Sequence, residues 1–147
     1  MRLALLLHLI SDVVWIGGMF FAYVILRPAV GEVLEPAQRL RLWTRVFRRF
    51  FLWVWAAVVL IVLSGFTMME QMGPVPHTVL LMTAVGLVMA AIFLYVFFVP
   101  FGQLKQAVAA EDWKAGGAAL GTIRRLVAIN LALGILNMAV GVLGPAI

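Results

Sequence analysis

His8 and Asp12 lie four residues apart in an otherwise apolar stretch, and Trp15 and Met19 continue the same stripe. At that spacing a helix places both ionisable side chains on one face, where the carboxylate can accept a hydrogen bond from an imidazole nitrogen. A bond of that kind fixes the tautomer of a metal-ligating histidine and raises its basicity. The same pair also reads as a self-satisfied polar contact packed against neighbouring helices. The second of the two histidines, His77, follows Pro74-Val75-Pro76 at the start of another apolar run. Six of the eight methionines (Met1, Met68, Met69, Met72, Met82 and Met138) fall near the same ends of the apolar runs as the histidines. Thioether and imidazole together make a donor set for Cu(I), although methionine is also a common residue of membrane helices. With no cysteine in the chain, disulfides, thiolate sites and cysteine nucleophiles are excluded.

These residues need a frame, and the composition supplies it. The chain is 65% hydrophobic and 12% charged over 147 residues, more apolar surface than a water-soluble domain of this size can bury, so the solvent must be a bilayer. A spanning helix needs about 20 mostly apolar residues, and four windows meet that length: Leu3–Leu26, Phe50–Met69, Thr78–Val99 and Leu126–Leu143. Barrel strands are shorter and alternate apolar with polar residues. The expected fold is therefore an all-α membrane protein, a four-transmembrane-helix bundle forming one domain over residues 1–147. The first window is too long for a signal-peptide core, carries His8 and Asp12, and lacks a small-x-small cleavage site, so it reads as a retained span. The net charge of +5 does not indicate nucleic acid, because the basic residues flank the spans, where they set orientation and touch lipid.

Ten of the eleven Lys and Arg residues lie in two segments, Arg27 to Arg49 and Lys105 to Arg125. Positive residues stay cytoplasmic, so residues 27–49 and 100–125 are expected inside. Both termini and the Glu70–His77 turn are then expected in the periplasm, as in a multi-pass protein of a bacterial inner membrane. The halves resemble each other: Tyr23-Val24-Ile25-Leu26-Arg27-Pro28 parallels Tyr95-Val96-Phe97-Phe98-Val99-Pro100, and Phe47-Arg48-Arg49-Phe50 parallels Ile123-Arg124-Arg125-Leu126. Two parallel two-helix repeats would be related by an axis along the membrane normal; a chance match of common membrane-end residues is the alternative. The repeat places Leu80, not His77, opposite His8. Pro36 to Arg49 and Gln103 to Trp113 read as amphipathic helices that extend a span or lie on the lipid surface, the second broken at Gly116-Gly117.

Counted at 1.5 Å per residue from the periplasmic ends, Asp12, Ser64, Thr83 and Asn137 all fall about 7–11 Å deep, which suggests a polar pocket opening to that side. Asn130, Gly134, Asn137 and Gly141 share one face of the fourth span. Small and polar residues on one stripe also let membrane helices approach closely, so both roles are open for these asparagines.

The run His8-Leu9-Ile10-Ser11-Asp12-Val13-Val14-Trp15-Ile16-Gly17-Gly18-Met19, closing in Leu26-Arg27-Pro28, resembles the opening of the copper-resistance protein D (CopD) family. Phe47-Arg48-Arg49-Phe50, Ser64-Gly65 and Arg124-Arg125 before Asn130 are similar to later parts of it, and the resemblance extends over essentially the whole chain. It implies copper handling at the inner membrane, with uptake from the periplasm as one form. The spacing of His8, Trp15 and Gly18, with Arg27 at the end of the span, is also similar to the flavin-free membrane protoporphyrinogen oxidases, which implies haem binding by the first-span histidine. The Trp-Lys pair of that family has no counterpart here.

Three readings follow. The first is a metal-handling protein that binds or takes up copper through His8, His77, Met68, Met72 and Met82, with Asp12 supporting His8. The second is a b-type haem protein with His8 and His77 as axial ligands, Trp15 alongside and Arg2 available for a propionate. The third is an accessory subunit of a larger membrane complex, whose polar stripe packs against its partners. A homo-oligomer is compatible with each.

Overall fold

The computed structural model describes residues 1–144. In chain order it contains α1 (Arg2–Phe20), a π-helical segment (Phe21–Leu26), α2 (Arg27–Val33), α3 (Pro36–Met72), α4 (His77–Phe98), α5 (Pro100–Ala109) and α6 (Trp113–Leu143). They form four helical stretches, Arg2–Val33, Pro36–Met72, His77–Ala109 and Trp113–Leu143, each long and apolar enough to cross a membrane. The all-α, four-span expectation is met.

The helices outrun their apolar windows. With 37 residues, α3 is about 55 Å long against a hydrocarbon core of about 30 Å. Its basic first part, Pro36 to Arg49, continues the span rather than lying flat. The start is well defined: Pro36 occupies the first turn, and Glu35 and Gln38 form a reciprocal capping box. Arg39 then donates to the carbonyls of Leu34 (2.6 Å) and Gly31 (2.7 Å), at the end of α2 where helical partners run out.

Both Tyr-x4-Pro sequences interrupt the helix, in different ways. Proline offers no N–H and its ring crowds the carbonyl four residues earlier. Ahead of Pro28 the ladder widens into the π segment, in which the Arg27 N–H reaches back to the Ala22 carbonyl. Ahead of Pro100 the chain kinks instead at Val99 (φ −110°, ψ −80°), and the helix restarts with Gln103 donating to the Val99 carbonyl at 3.0 Å. The kink turns α5 inward against α6, with further contact to α3 and α4.

α1 packs chiefly on α3, and α4 chiefly on α6. One end of the bundle gathers the start of α1, the end of α3, the start of α4 and the end of α6; it carries both histidines and is here termed the histidine end. The opposite, arginine end contains the aromatic part of the core. Phe51 is its hub, with ring centroids 5.1 Å from Phe47, 5.6 Å from Phe93, 6.2 Å from Phe97 and 5.0 Å from Phe101. Leu104 of α5 and Ile123 of α6 are fully enclosed beside it. Large apolar side chains such as Val13, Leu52, Trp53 and Phe98 point outward, as lipid-facing residues do.

The expected break at Gly116-Gly117 is not there. The chain turns at Ala110–Asp112, where Glu111 takes a left-handed conformation (φ 54°), and the Asp112 carboxylate accepts the Ala115 N–H at 3.1 Å to start α6. Gly116 is needed for proximity instead: a Cβ there would stand 3.0 Å from Leu40 Cδ1 and 3.6 Å from Ala107 Cβ. It lets α3, α5 and α6 meet.

Candidate metal centre

Ser11, Trp15 and Met19 are the buried residues of α1, and His8 begins the same stripe one turn earlier. Packing that stripe on α3 brings His8 Nδ1 to 2.9 Å from Ser64 Oγ. Ser64 lies 2.5 Å from the Leu60 carbonyl and 3.2 Å from that of Ile61. A hydroxyl has one proton. Given to the helix carbonyl, it leaves the serine oxygen to accept from His8, so Nδ1 carries the imidazole proton. Nε2 is then the unprotonated nitrogen, with its lone pair available.

Beside this bond lies Gly65. A Cβ at that position would stand 3.5 Å from His8 Cε1, the ring carbon between the two nitrogens. That is ordinary contact, so the ring lies close to α3 here without requiring a glycine. Helical periodicity puts Met68 and Met69 one turn, and Met72 two turns, from this point towards the histidine end.

Ser64 does what was expected of Asp12. Among the described residues the half-buried Asp12 carboxylate accepts no hydrogen bond, and His8 bonds neither it nor His77. The reason is geometric: the imidazole turns across the α1–α3 seam, not along its own helix. Trp15 is buried edge-on to Phe93, with ring centroids 6.3 Å apart. Arg2 and His77 are exposed at the first residues of α1 and α4. Met68 is half-buried and Met72 exposed. Thr83 approaches the sulfur of Met69 at 3.6 Å while donating to Val79 at 2.8 Å, which links α3 to α4 at this end. Among the described residues no three His, Asp or Glu side chains are grouped as ligands for a metal ion. Imidazole and thioether side chains both occur at this end of the bundle, residue types that suit a soft monovalent ion.

The asparagine stripe of α6 is accounted for by packing. Asn130 Nδ2 donates to the Met89 carbonyl at 3.1 Å, and Asn137 Nδ2 to the Met82 carbonyl at 3.2 Å. Both pairs are seven residues apart, so one antiparallel register repeats. Four residues after each asparagine a glycine receives the methionine side chain: a Cβ at Gly134 would meet Met89 Cε at 3.1 Å, and one at Gly141 would meet Met82 Cε at 2.8 Å. Met82, expected as a ligand, lies on this α4–α6 seam. Of the polar residues expected to line one pocket, Ser64, Thr83 and Asn137 are instead engaged on separate seams, with His8, Met69 and the Met82 carbonyl. Two cavities lie elsewhere: one at mid-bundle beside Trp15, Phe93 and Asn130, the other at the arginine end. Neither is flanked by a histidine, and the haem reading finds no support in this arrangement.

The family model for copper resistance protein D matches residues 44–143, about two-thirds of the chain, from within α3 to the end of α6. The match includes Ser64, Gly65 and the α3 methionines but not α1, so the His8–Met19 run on which the sequence resemblance opens lies outside it. No curated protein and no solved structure matches.

Proposed function

The chain belongs to the copper resistance protein D family, and from that premise we propose that it binds Cu(I) at its histidine end as part of copper uptake. In this reading His8 Nε2 is the nitrogen donor, with Met68 and Met72 of α3 as thioether donors. His77, at the start of α4, supplies a further donor as the ion enters or leaves. The arginine end faces the cytoplasm, as the distribution of basic residues requires, so the site opens to the periplasm of an inner-membrane protein.

The observation that carries the proposal is the His8–Ser64 contact at 2.9 Å. It joins the histidine of the first span to a residue inside the family match, in the tautomer that leaves Nε2 unprotonated. Partners of this kind on the second nitrogen are a regular feature of ligating histidines. The ion is cargo, and the ligand set is correspondingly soft, sparse and partly exposed.

Anaerobic Cu(I) titration of the detergent-purified protein tests this. The wild type is expected to bind one ion per chain, His8→Ala to bind none tightly, and Met68→Leu to bind more weakly. Equal binding by wild type and His8→Ala would remove the proposed donor.

A further inference from the structure

The second site is at the opposite end. A partly open cavity of about 60 Å³ lies between the π segment, α3 and α6. Its walls include Tyr23, Trp43, Phe47 and Val127, and its charged members are Arg27 and Arg124. Trp43 and Phe47 are buried and form an apolar floor. Arg27 lies over the Tyr23 ring, its guanidinium carbon 4.4 Å from the centroid. Stacking holds the guanidinium in place and leaves its in-plane N–H groups free to donate.

Neither cation is neutralised. Among the described residues the one ion pair joins Arg41 to Glu111, and Arg39 spends its donors on the α2 carbonyls. Arg27 and Arg124 have no such partner. Two unpaired guanidiniums above an aromatic and aliphatic trough, at the level where the spans leave the bilayer, match an amphiphile with an anionic head and an apolar tail. Basic pockets between membrane helices take phospholipid head groups in this way. The π-helical wall fits as well, since such turns recur at functional sites.

We propose that this cavity is a binding site for an anionic phospholipid. Its phosphate sits between Arg27 and Arg124, and the head of an acyl chain lies along Tyr23, Trp43, Phe47 and Val127. The site is independent of the copper reading, since it lies at the other end of the bundle and shares no residue with it.

Native mass spectrometry in detergent tests the proposal, with dioleoyl-phosphatidylglycerol or dioleoyl-phosphatidylcholine added to the purified full-length chain. The wild type is expected to retain one phosphatidylglycerol in preference to phosphatidylcholine. In the Arg27→Gln/Arg124→Gln double variant, retention should fall about 25-fold, from two cations each worth about a factor of five at an anionic head group. The control Arg48→Gln/Arg49→Gln removes two exposed arginines outside the cavity and should leave retention unchanged. Equal loss in the control would reduce the effect to general surface charge and overturn the proposal. So would absence of headgroup preference in the wild type, or displacement of the lipid by millimolar inorganic phosphate, which would make the cavity a free-anion site.

Discussion

Ser64→Ala removes one hydroxyl and leaves the helix otherwise intact. The Leu60 and Ile61 carbonyls that Ser64 touches are in the interior of α3 and keep their helical N–H partners, so the loss is concentrated on His8. A lost intramolecular hydrogen bond costs about 1 kcal/mol net, and such bonds average only about 0.6 kcal/mol between membrane helices. The effect on stability should therefore be small. The effect on copper should be larger. Without an acceptor at Nδ1 the imidazole can exchange tautomers and rotate on its seam, and loss of such a partner lowers metal affinity by about 10–100-fold. The assay is anaerobic competition with a chromophoric Cu(I) chelator, beside SDS-induced unfolding of the same samples. The expected outcome is a Kd raised at least about tenfold, an unchanged one-to-one stoichiometry and an unfolding free energy altered by about 1 kcal/mol or less. Ser64→Thr, which keeps the hydroxyl, should remain close to wild type. An unchanged Kd in Ser64→Ala, with binding abolished in His8→Ala, would refute the argument that the serine prepares the histidine.

Three further predictions concern the scaffold. A Cβ at Gly18 would stand 2.2 Å from Phe50 Cε2 and 2.6 Å from Cζ, whereas one at Gly17 meets nothing within 4 Å; Gly18→Ala should cost about 1–3 kcal/mol by SDS unfolding and Gly17→Ala almost nothing. Asn130 is buried, with Nδ2 bonded and Oδ1 without a partner, so Asn130→Leu removes a bond worth about 0.6 kcal/mol together with an unsatisfied acceptor. Its net effect should stay within about 1 kcal/mol, and a loss above about 3 kcal/mol would show that Oδ1 is engaged by something else. Asp112→Ala removes the side-chain cap of α6 and should lower stability by about 1 kcal/mol, with the loss largely absent in Asp112→Asn.

The spans could be read from the sequence because bilayer thickness imposes a length on any apolar run. Their ends could not, because Pro36 to Arg49 continues α3 through a charged, amphipathic register that carries no bilayer signal. α5 was legible as an amphipathic helix but not as part of the core: Phe101, Leu104 and Ala107 are buried only because Val99 kinks the chain inward. Gly116-Gly117 read as a helix break, since a glycine pair marks flexibility and close packing alike, and only the Leu40 contact distinguishes them. The stripe from Asn130 to Gly141 was visible as one face, while its use emerged from the Met82 and Met89 carbonyls on another helix. His8 stood out in the sequence by the cost of an ionisable residue in a membrane, whereas its partner did not. Local spacing favoured Asp12 at four residues, and the bond goes to Ser64 at 56, a choice made by the α1–α3 packing.

X-ray absorption at the copper K edge, on Cu(I)-loaded wild type and His8→Ala, tests the central claim most directly. The account predicts a first shell containing sulfur together with imidazole nitrogen, the latter marked by its outer-shell ring scattering and lost in the variant. A spectrum unchanged by His8→Ala, or a shell of light atoms without sulfur, would contradict a His/Met copper site at this end of the bundle.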